Sequence, residues 1–479
     1  MAQTEVSRAD VGLRSERGPV LLSIMLSVGL VAIDSTILAT AVPSIVRDLG
    51  GFAQFPWLFS IYLLTAAVST PVFAKFSDIH GRKPVMLVGI ALFLLGSIMC
   101  GFAWNMTTLI IFRGLQGLGA GAIQPTSMTI IGDLYNLAER AKVQGYVASV
   151  WAMSAVVGPT LGGVFSDFLT WRWIFFVNVP LGGLAAWMLA RHFTEDVKRA
   201  PHKIDVAGAV LLTLASTLVI FGLLEGGVLW SWLSPWSIGI LGLGVLLLAA
   251  FVGVERKAAE PIVPGWVFRR RLLVGANLTN LAVGVMLIGL TSYVPLFVQE
   301  VLGTSALIAG FALAALTVGW PISASLSGRI YLRIGFRNTS LIGTVIAGVG
   351  GVLMVLLNAD SSVWFVAATC FVIGLGMGLV ASPTLVAAQS SVDWSSRGVV
   401  TGTSMFARSM GSAVGIAVFG AIANAAIGTE VGGHTSGNGV APEVLEPALH
   451  QVFVAAAVVA VVMLVAVAIM PRRAAGAQA

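Results

Sequence analysis

The sequence predicts an all-α membrane protein whose helices cross a lipid bilayer many times. Hydrophobic residues make up 57% of the 479 residues, and charged residues only 10%. A soluble domain carries about 25% charged residues, and the mean hydropathy of +0.94 agrees with burial in lipid. In chain order, apolar runs of roughly 20 residues, the length that spans a bilayer, alternate with polar connections.

The apolar runs predict fourteen membrane-spanning helices. In the N-terminal half they cover Val20–Val46, Trp57–Phe76, Pro84–Ala103, Met106–Ile131, Val143–Phe168, Trp173–Leu189 and Val206–Leu224. In the C-terminal half they cover Pro235–Val254, Leu273–Val298, Ser305–Ser327, Thr339–Leu357, Val363–Ala388, Val399–Ala425 and Val452–Met470. An even number of spans predicts that both termini lie on the same side of the membrane.

Basic residues mark one side of the predicted membrane. All but four of the 27 lysines and arginines fall in the terminal segments or in alternate connections. By the positive-inside rule these segments are cytoplasmic, so both termini are predicted to be cytoplasmic. Arg47 and Arg172 fall on the opposite side, whereas Arg113 and Arg408 lie within predicted spans.

An internal repeat predicts two six-helix bundles separated by an extra pair of spans. Residues 74–83, after the second span, are echoed by residues 328–337 after the tenth, and Gly158 is echoed by Gly415. The predicted segments are a cytoplasmic leader (1–19), an N-terminal bundle (20–190), a linker with two extra spans (191–271), a C-terminal bundle (272–471) and a cytoplasmic tail (472–479).

Two motifs inside predicted spans indicate a family. The fourth span contains Arg113-Gly114-Leu115-Gln116-Gly117, and the fifth contains Gly158-Pro159-Thr160-Leu161-Gly162-Gly163. They resemble the fourth- and fifth-helix motifs of the major facilitator superfamily, and the second is typical of its antiporters. The resemblance implies the major facilitator fold. With the inserted helix pair, the chain resembles the superfamily's fourteen-spanner drug/proton antiporters of the multidrug efflux type.

Asp34 and Arg113 are the candidate proton-coupling residues. The segment Asp34-Ser35-Thr36-Ile37 resembles the first-helix motif of that subfamily, and a charged carboxylate at this depth is disfavoured. Arg113 cannot release its own proton, so its role would be to tune a neighbouring group. Gln116, one turn along the same helix face, could hydrogen-bond either group. A proton carrier and a static ion pair that only fixes helix packing both remain open.

Two further motifs are assigned by the resemblance. Asp78, Gly81, Arg82 and Lys83 match the superfamily's loop signature and predict a cytoplasmic gate latch that stabilises one end state; the alternative is an ordinary basic loop. The set Gly158, Pro159, Gly162 and Gly163 predicts a helix that can bend and pack closely against its neighbours.

Three further features lie outside these motifs. Glu225, at the end of the seventh span, is predicted to be a solvated residue at a loop edge, with a second proton or cation site as the alternative. Arg408, in the thirteenth span, could pair with a carbonyl group or line the substrate cavity. Residues 428–450 form the longest polar stretch and are predicted to be a flexible outer loop.

Several chemistries lack a signal in the sequence. No Walker loop is present, the five histidines show no metal-ligand spacing, and both cysteines lie in apolar runs. The resemblance implies a non-enzymatic, cofactor-free monomer in the cytoplasmic membrane, which uses protons to export hydrophobic or amphipathic small molecules. The alanine-, valine- and glycine-rich composition favours a bacterium, and the location of the basic residues explains the net charge of +6 without nucleic-acid binding. The alternatives are a dedicated exporter of one metabolite, lipid or siderophore, or a non-transporting sensor or scaffold.

Overall fold

The computed structural model describes residues 11–50, 57–195, 205–226, 229–431 and 442–472, and these residues are almost entirely helical. Fourteen of the described helical segments are long and apolar enough to cross a membrane. No β-strand occurs among the described residues. The predicted all-α membrane architecture is therefore confirmed.

The α-helices are numbered here in chain order. The first eight are α1 Gly18–Leu49, α2 Trp57–His80, α3 Arg82–Gly101, α4 Met106–Leu134, α5 Leu137–Phe168, α6 Trp173–Phe176, α7 Asn178–His192 and α8 Val206–Glu225. The others are α9 Pro235–Glu255, α10 Arg271–Leu296, α11 Ala306–Ile334, α12 Phe336–Val355, α13 Val363–Ser390, α14 Arg397–Val431 and α15 Pro442–Ile469. A π-helical segment, Phe297–Val301, extends α10.

The sixth predicted span is interrupted near its start. α6 ends at Phe176, Val177 lies between the helices, and α7 begins at Asn178. Pro180, in the first turn of α7, has no backbone N–H and cannot bond a carbonyl group of α6. The apolar run is continuous through this point, so hydropathy alone predicts a single helix.

The prediction of a flexible loop over residues 428–450 is wrong at both ends. α14 continues to Val431 and α15 begins at Pro442, while residues 432–441 lie outside the described residues. Leu445, Leu449 and Val452 are buried. Their spacing forms an apolar stripe on one face of α15, which stabilises a helix whose other face is polar.

The helices form two compact units. The first comprises Met1–Thr217, Leu247–Gly265 and Val392–Phe406, and the second comprises Leu218–Leu246, Trp266–Ser391 and Ala407–Ala479. The predicted linker with its two extra helices, α8 and α9, is therefore divided between both units. The first turns of α14 pack with the first unit.

The same packing pattern occurs in both units. In the first, α4 packs against α2 and α3, and α7 packs against α1 and α3. In the second, α13 packs against α11 and α12, and α15 packs against α10 and α12. Helices α1 to α4 thus have counterparts nine helices later, and α7 has its counterpart eight helices later because the short α6 is additional. This pairing follows the internal repeat in the sequence.

Glycines permit close helix crossings at equivalent positions of the two units. A Cβ atom on Gly96 would lie 2.5 Å from the backbone nitrogen of Gln116, and one on Gly350 would lie 3.0 Å from the backbone nitrogen of Ile373. Association of helices in a membrane depends on van der Waals contact more than on a hydrophobic driving force. These glycines therefore hold α3 against α4, and α12 against α13.

Gly96→Ala should destabilise the protein, because the added methyl group collides with the backbone of α4. Such overpacking costs about 1–3 kcal/mol, which we expect to appear as a lower midpoint of thermal unfolding in detergent. The matched control is Gly183→Ala in α7, where the new Cβ atom meets nothing within 4 Å. Equal midpoints for the two variants would contradict the close crossing of α3 and α4.

Candidate functional site

A network of charged and polar side chains is buried in the first unit. Asp34 on α1 and Arg113 on α4 are each only 1% exposed. Arg113 Nη1 donates a hydrogen bond to Asp34 Oδ2 at 2.5 Å. The two residues predicted to couple protons are therefore in direct contact, although their role is not tested by this geometry.

Arg113 has further partners besides the carboxylate. Its Nη1 also donates to Gln116 Oε1 at 2.8 Å, and its Nε donates to the Leu58 carbonyl oxygen at 3.1 Å. The guanidinium carbon lies 4.2 Å from the centre of the Tyr62 ring, within the range of a cation–π interaction. The guanidinium would therefore retain partners if Asp34 became neutral.

Asp34 Oδ1 is held by two side-chain amides. Gln116 Nε2 donates to it at 2.8 Å and Asn178 Nδ2 at 3.3 Å. Asn178 Nδ2 also donates to Ser97 Oγ at 2.9 Å, and Ser97 Oγ donates to the Phe175 carbonyl oxygen at 2.9 Å. Gln116 thus bonds both charged groups, and the network ties α1, α3 and α4 to the interrupted sixth span.

Ser97, Asn178 and Tyr62 are members that the sequence analysis did not identify. Asn178 carries a signal in the sequence, because an asparagine within an apolar span and two residues before Pro180 is unusual in a plain lipid-facing helix. Ser97 and Tyr62 carry no such signal. Their inclusion depends on the helix crossings, which bring residues far apart in the chain onto one carboxylate and one guanidinium.

Asn178 Oδ1 is an unsatisfied atom in this network. It is buried and has no hydrogen-bond partner among the described residues. A buried acceptor without a partner is uncommon and costs free energy. The same amide group donates through its Nδ2 atom to Asp34, so the unsatisfied oxygen lies on a side chain that contacts the carboxylate.

Apolar side chains surround the ion pair. Ile37, Cys100, Leu109 and Phe175 are buried in one hydrophobic cluster on the neighbouring turns of α1, α3, α4 and α6. In such a medium, separating an ion pair or removing one partner is strongly destabilising. The arrangement therefore holds one carboxylate and one guanidinium in direct contact within an apolar environment.

A second charged cluster lies where α2, α3 and α4 meet the start of α14; we call it the Arg82 cluster, and its members are Asp78, Arg82, Asp133, Trp394 and Arg397. Arg82 is fully buried and contacts Asp78 Oδ1 and Asp133 Oδ2, each at 2.9 Å. Its guanidinium carbon lies 3.6 Å from the centre of the Trp394 ring. Arg397 Nη1 contacts Asp133 Oδ1 at 2.9 Å.

Asp78 also binds the N-terminus of α14. Its carboxylate oxygens accept hydrogen bonds from the backbone N–H groups of Gly398 at 2.9 Å and Val399 at 2.8 Å. A negative charge is stabilised there by the unpaired N–H groups and the helix dipole. Asp78 therefore caps the N-terminus of α14, whereas its latch function stays a prediction.

The remaining residues of the predicted latch shape the turn between α2 and α3. Gly81 has a φ of 95°, a conformation that side chains other than glycine rarely adopt. Lys83 Nζ donates to the Ala190 carbonyl oxygen at 2.8 Å. Glu195 accepts from the backbone N–H groups of Arg82 and Lys83 at 2.9 and 2.7 Å, a contact that sequence reasoning missed.

The glycine motif of α5 is only partly a packing surface. A Cβ atom on Gly162 would lie 2.5 Å from the Ile37 carbonyl oxygen, and one on Gly158 would collide with Thr36. Gly163, by contrast, has nothing within 4 Å of a Cβ position, so its predicted close packing is wrong. The side chain of Pro159 lies outside the described residues. α5 contacts α1, the helix that carries Asp34.

The expectation that Glu225 is solvated is wrong. It is the last residue of α8 and is only 7% exposed. The connection folds back over the end of the helix, since the Leu229 N–H bonds the Glu225 carbonyl oxygen and the Trp232 ring lies against Gly226. Burial raises the pKa of the Glu225 carboxyl group above its usual value.

Arg408 lies in the second unit and is partly buried on α14. Among the described residues, its guanidinium forms no ion pair and no hydrogen bond. The carbonyl partner that the sequence left open is therefore not observed within the described part of the chain. Arg408 is not part of the Asp34 network.

Removing one partner of the Asp34–Arg113 pair should cost more than removing both charges. Arg113→Ala leaves a buried carboxylate unpaired, at about 3–5 kcal/mol; adding Asp34→Asn removes that charge, so the double variant should be more stable than Arg113→Ala alone. Thermal unfolding in detergent measures this. The exposed pair Asp48–Arg172, at 2.7 Å, is the control and should couple by less than about 1 kcal/mol. Strict additivity at Asp34 and Arg113 would argue against the pairing.

Comparison with known proteins supports the family. The sequence profile of the Major Facilitator Superfamily matches residues 24–416. "Multidrug resistance protein 3" of Bacillus subtilis (strain 168) is 36% identical over 392 residues, which are 82% of this chain and 77% of the relative. "Multidrug transporter protein MdtP" of the same organism is 35% identical over 400 residues, 84% of this chain and 74% of the relative.

A solved structure agrees at the level of the fold. The crystal structure of the human organic anion transporter MFSD10 (TETRAN) superimposes with a TM-score of 0.69 at 14% sequence identity, over 94% of this chain and 99% of that one. The fourteen apolar helices, the repeated packing and the profile match agree with one another. The chain belongs to the major facilitator superfamily of membrane transporters.

Proposed function

We propose that this transporter is a proton-coupled antiporter that exports hydrophobic or amphipathic small molecules across a bacterial cytoplasmic membrane by alternating access. The single observation that supports the proposal most strongly is the buried Asp34–Arg113 pair. A scaffold or sensor has no need of an ion pair that is 1% exposed in an apolar region, because such a pair is often no more stabilising than apolar residues of similar volume. The names of the two bacterial relatives, a multidrug resistance protein and a multidrug transporter, support the substrate class.

In this proposal Asp34 carries the proton and Arg113 controls when it does so. While the two side chains are in contact, the guanidinium stabilises the charged carboxylate; a helix movement that separates them favours its protonation. Arg113 can then rely on the Leu58 carbonyl oxygen, Gln116 and the Tyr62 ring. The positive charge of Arg113 would therefore still have partners when the Asp34 carboxyl group is neutral.

Asn178 supplies a complementary feature. A protonated Asp34 has a hydroxyl group that needs an acceptor, and the neighbouring Asn178 Oδ1 is buried without a partner. Rotation of the Asn178 amide would present this oxygen in place of its NH₂ group. The network could then satisfy either charge state of Asp34 by reorienting one side chain.

The energy available from one proton is sufficient for export. A proton crossing about 150 mV releases roughly 3.5 kcal/mol, which sustains a concentration gradient of about a few hundred-fold. With Asp34 as the one deep carboxylate among the described spans, one proton per substrate is the simplest cycle. No cofactor is required, and the protein can act as a monomer.

The contacts of the Arg82 cluster support a role as a gate latch. Asp78 joins α2 to the N-terminus of α14, while Arg82 and Arg397 both bind Asp133. We assign it the role of stabilising one end state of the cycle, on the side predicted to be cytoplasmic. Breaking these bonds would then be required for the protein to reach the other end state.

Asp34→Asn should abolish transport driven by a pH gradient, because an amide cannot carry the proton, while substrate binding persists. The measurement uses inverted vesicles with an imposed gradient and a fluorescent hydrophobic dye that the wild-type protein accumulates. Dye uptake should fall to the level of vesicles that lack the protein. Glu225→Gln is the control and should retain uptake. Undiminished uptake by the Asp34 variant would refute the assignment of the proton carrier.

Asp78→Ala should slow transport and destabilise the protein, because it leaves the N–H groups of Gly398 and Val399 without their acceptor. Unsatisfied buried donors cost about 1–3 kcal/mol each. Initial rates in the same vesicles and thermal unfolding test this. Asp360→Ala, which removes an exposed carboxylate, is the matched control and should change stability by less than about 0.5 kcal/mol. Wild-type rates for the Asp78 variant would remove the latch from the mechanism.

A further inference from the structure

Arg408 lies deep within a spanning helix of the second unit. It is three turns beyond Arg397, the first residue of α14, which corresponds to roughly 16 Å along the helix axis. The apolar core of a bilayer is about 30 Å thick. Long basic side chains near a helix end can extend to the membrane surface, but a residue at this depth lies near the middle of the core.

The charge of Arg408 has no counter-charge in the described structure. Arg82 and Arg113, the fully buried arginines of the first unit, each contact an aspartate. No such contact exists for Arg408 among the described residues. The acidic residues of the second unit lie at helix ends or in connections; they are Glu225, Glu300, Asp360, Glu430, Glu443 and Glu446.

The backbone of Arg408 is fixed by a close crossing of α14 with α10. A Cβ atom on Gly284 of α10 would collide with the Arg408 carbonyl oxygen, and one on Gly415 would lie 3.0 Å from the Val285 Cα atom. Ser412 Oγ donates to the Gly284 carbonyl oxygen at 3.3 Å. Because the two helices pack through glycine and serine, the arginine is attached to a rigid helix pair.

We propose that Arg408 is a binding residue for the anionic group of a substrate, a carboxylate or sulfonate on an amphipathic molecule; this inference rests on the proposed transport function. An unpaired charge in the membrane core is costly, and such residues mark substrate pathways. A guanidinium is always charged and presents a planar set of donors that fits a carboxylate in a bidentate manner. A bound anion supplies the counter-charge that the described chain lacks.

The assignment changes the charge balance of the transport cycle. Export of a monovalent anion in exchange for one proton moves the equivalent of two positive charges inward. The membrane potential, negative inside, would then drive the cycle in addition to the pH difference. A monovalent cation exchanged for one proton would instead move no net charge.

Equilibrium binding of three probes with one fluorophore tests the proposal. They are dansylglycine (anionic), its methyl ester (neutral) and dansylcadaverine (cationic), titrated onto the purified full-length protein in an uncharged detergent. Wild-type protein should bind dansylglycine at least about tenfold more tightly than the ester, as expected for a hydrogen bond to a charged group. Arg408→Gln should remove this preference, and Arg408→Lys, which keeps the charge but not the planar donors, should retain part of it.

Two controls accompany the experiment. Arg333→Gln removes an exposed arginine from the last turn of α11 and should leave dansylglycine binding unchanged. Arg408→Gln removes an unpaired charge, so its thermal unfolding midpoint should be equal to or above that of the wild type, which separates lost binding from lost folding. A wild-type protein that does not prefer the anionic probe would overturn the proposal, as would a preference that survives Arg408→Gln.

The test is independent of proton coupling. Asp34→Asn should bind dansylglycine as the wild type does, because the substitution leaves the Arg408 guanidinium unchanged. If that variant still accumulates dye in response to a pH gradient, the proposed proton carrier fails while the anion site stands. If the anion preference is absent and Asp34→Asn abolishes gradient-driven uptake, the anion site fails and the antiporter mechanism stands.

Discussion

The constraint on which the first unit depends is the burial of one negative and one positive charge in an apolar interior. The direct contact of Asp34 and Arg113 compensates each charge, and the amides of Gln116 and Asn178 occupy the remaining carboxylate oxygen. These four side chains come from three helices, so α1, α4 and the start of α7 must be correctly packed before the carboxylate has all its partners. The network therefore links the packing of these helices to the pairing of a single carboxylate.

The sequence predicts the outline of this site because charges in apolar runs are rare. Asp34 and Arg113 stand out for that reason, and Gln116 follows from helical spacing. Ser97 and Tyr62 are ordinary residues in apolar helices, and only the crossings of α2, α3 and α4 bring them to the ion pair. Glu195 is a similar case, since a carboxylate after α7 gives no sign in the sequence that it binds the first backbone N–H groups of α3.

The helical architecture is predictable for a related reason, because a bilayer requires about 20 apolar residues per span. The predictions of helix bounds and burial are wrong where a factor other than hydropathy decides the structure. Pro180 interrupts the sixth span without reducing its hydropathy, and the apolar stripe of α15 supports a helix within a polar segment. Glu225 is misjudged because the burial of a residue at a helix end depends on how the following connection folds, here through Gly226 and Trp232.

The equivalent glycine crossings show how the two units can carry different functional groups on the same helix packing. In these crossings Gln116 of α4 occupies the position that Ile373 occupies on α13. Counting three residues back along each helix places Arg113 opposite Cys370 in the alignment. Cys370 is a buried thiol in the apolar core of the second unit. The contacts that set the helix spacing are thus made by residues other than those that carry the charges. After a duplication, one copy could therefore acquire or lose ionisable groups without a change in backbone packing.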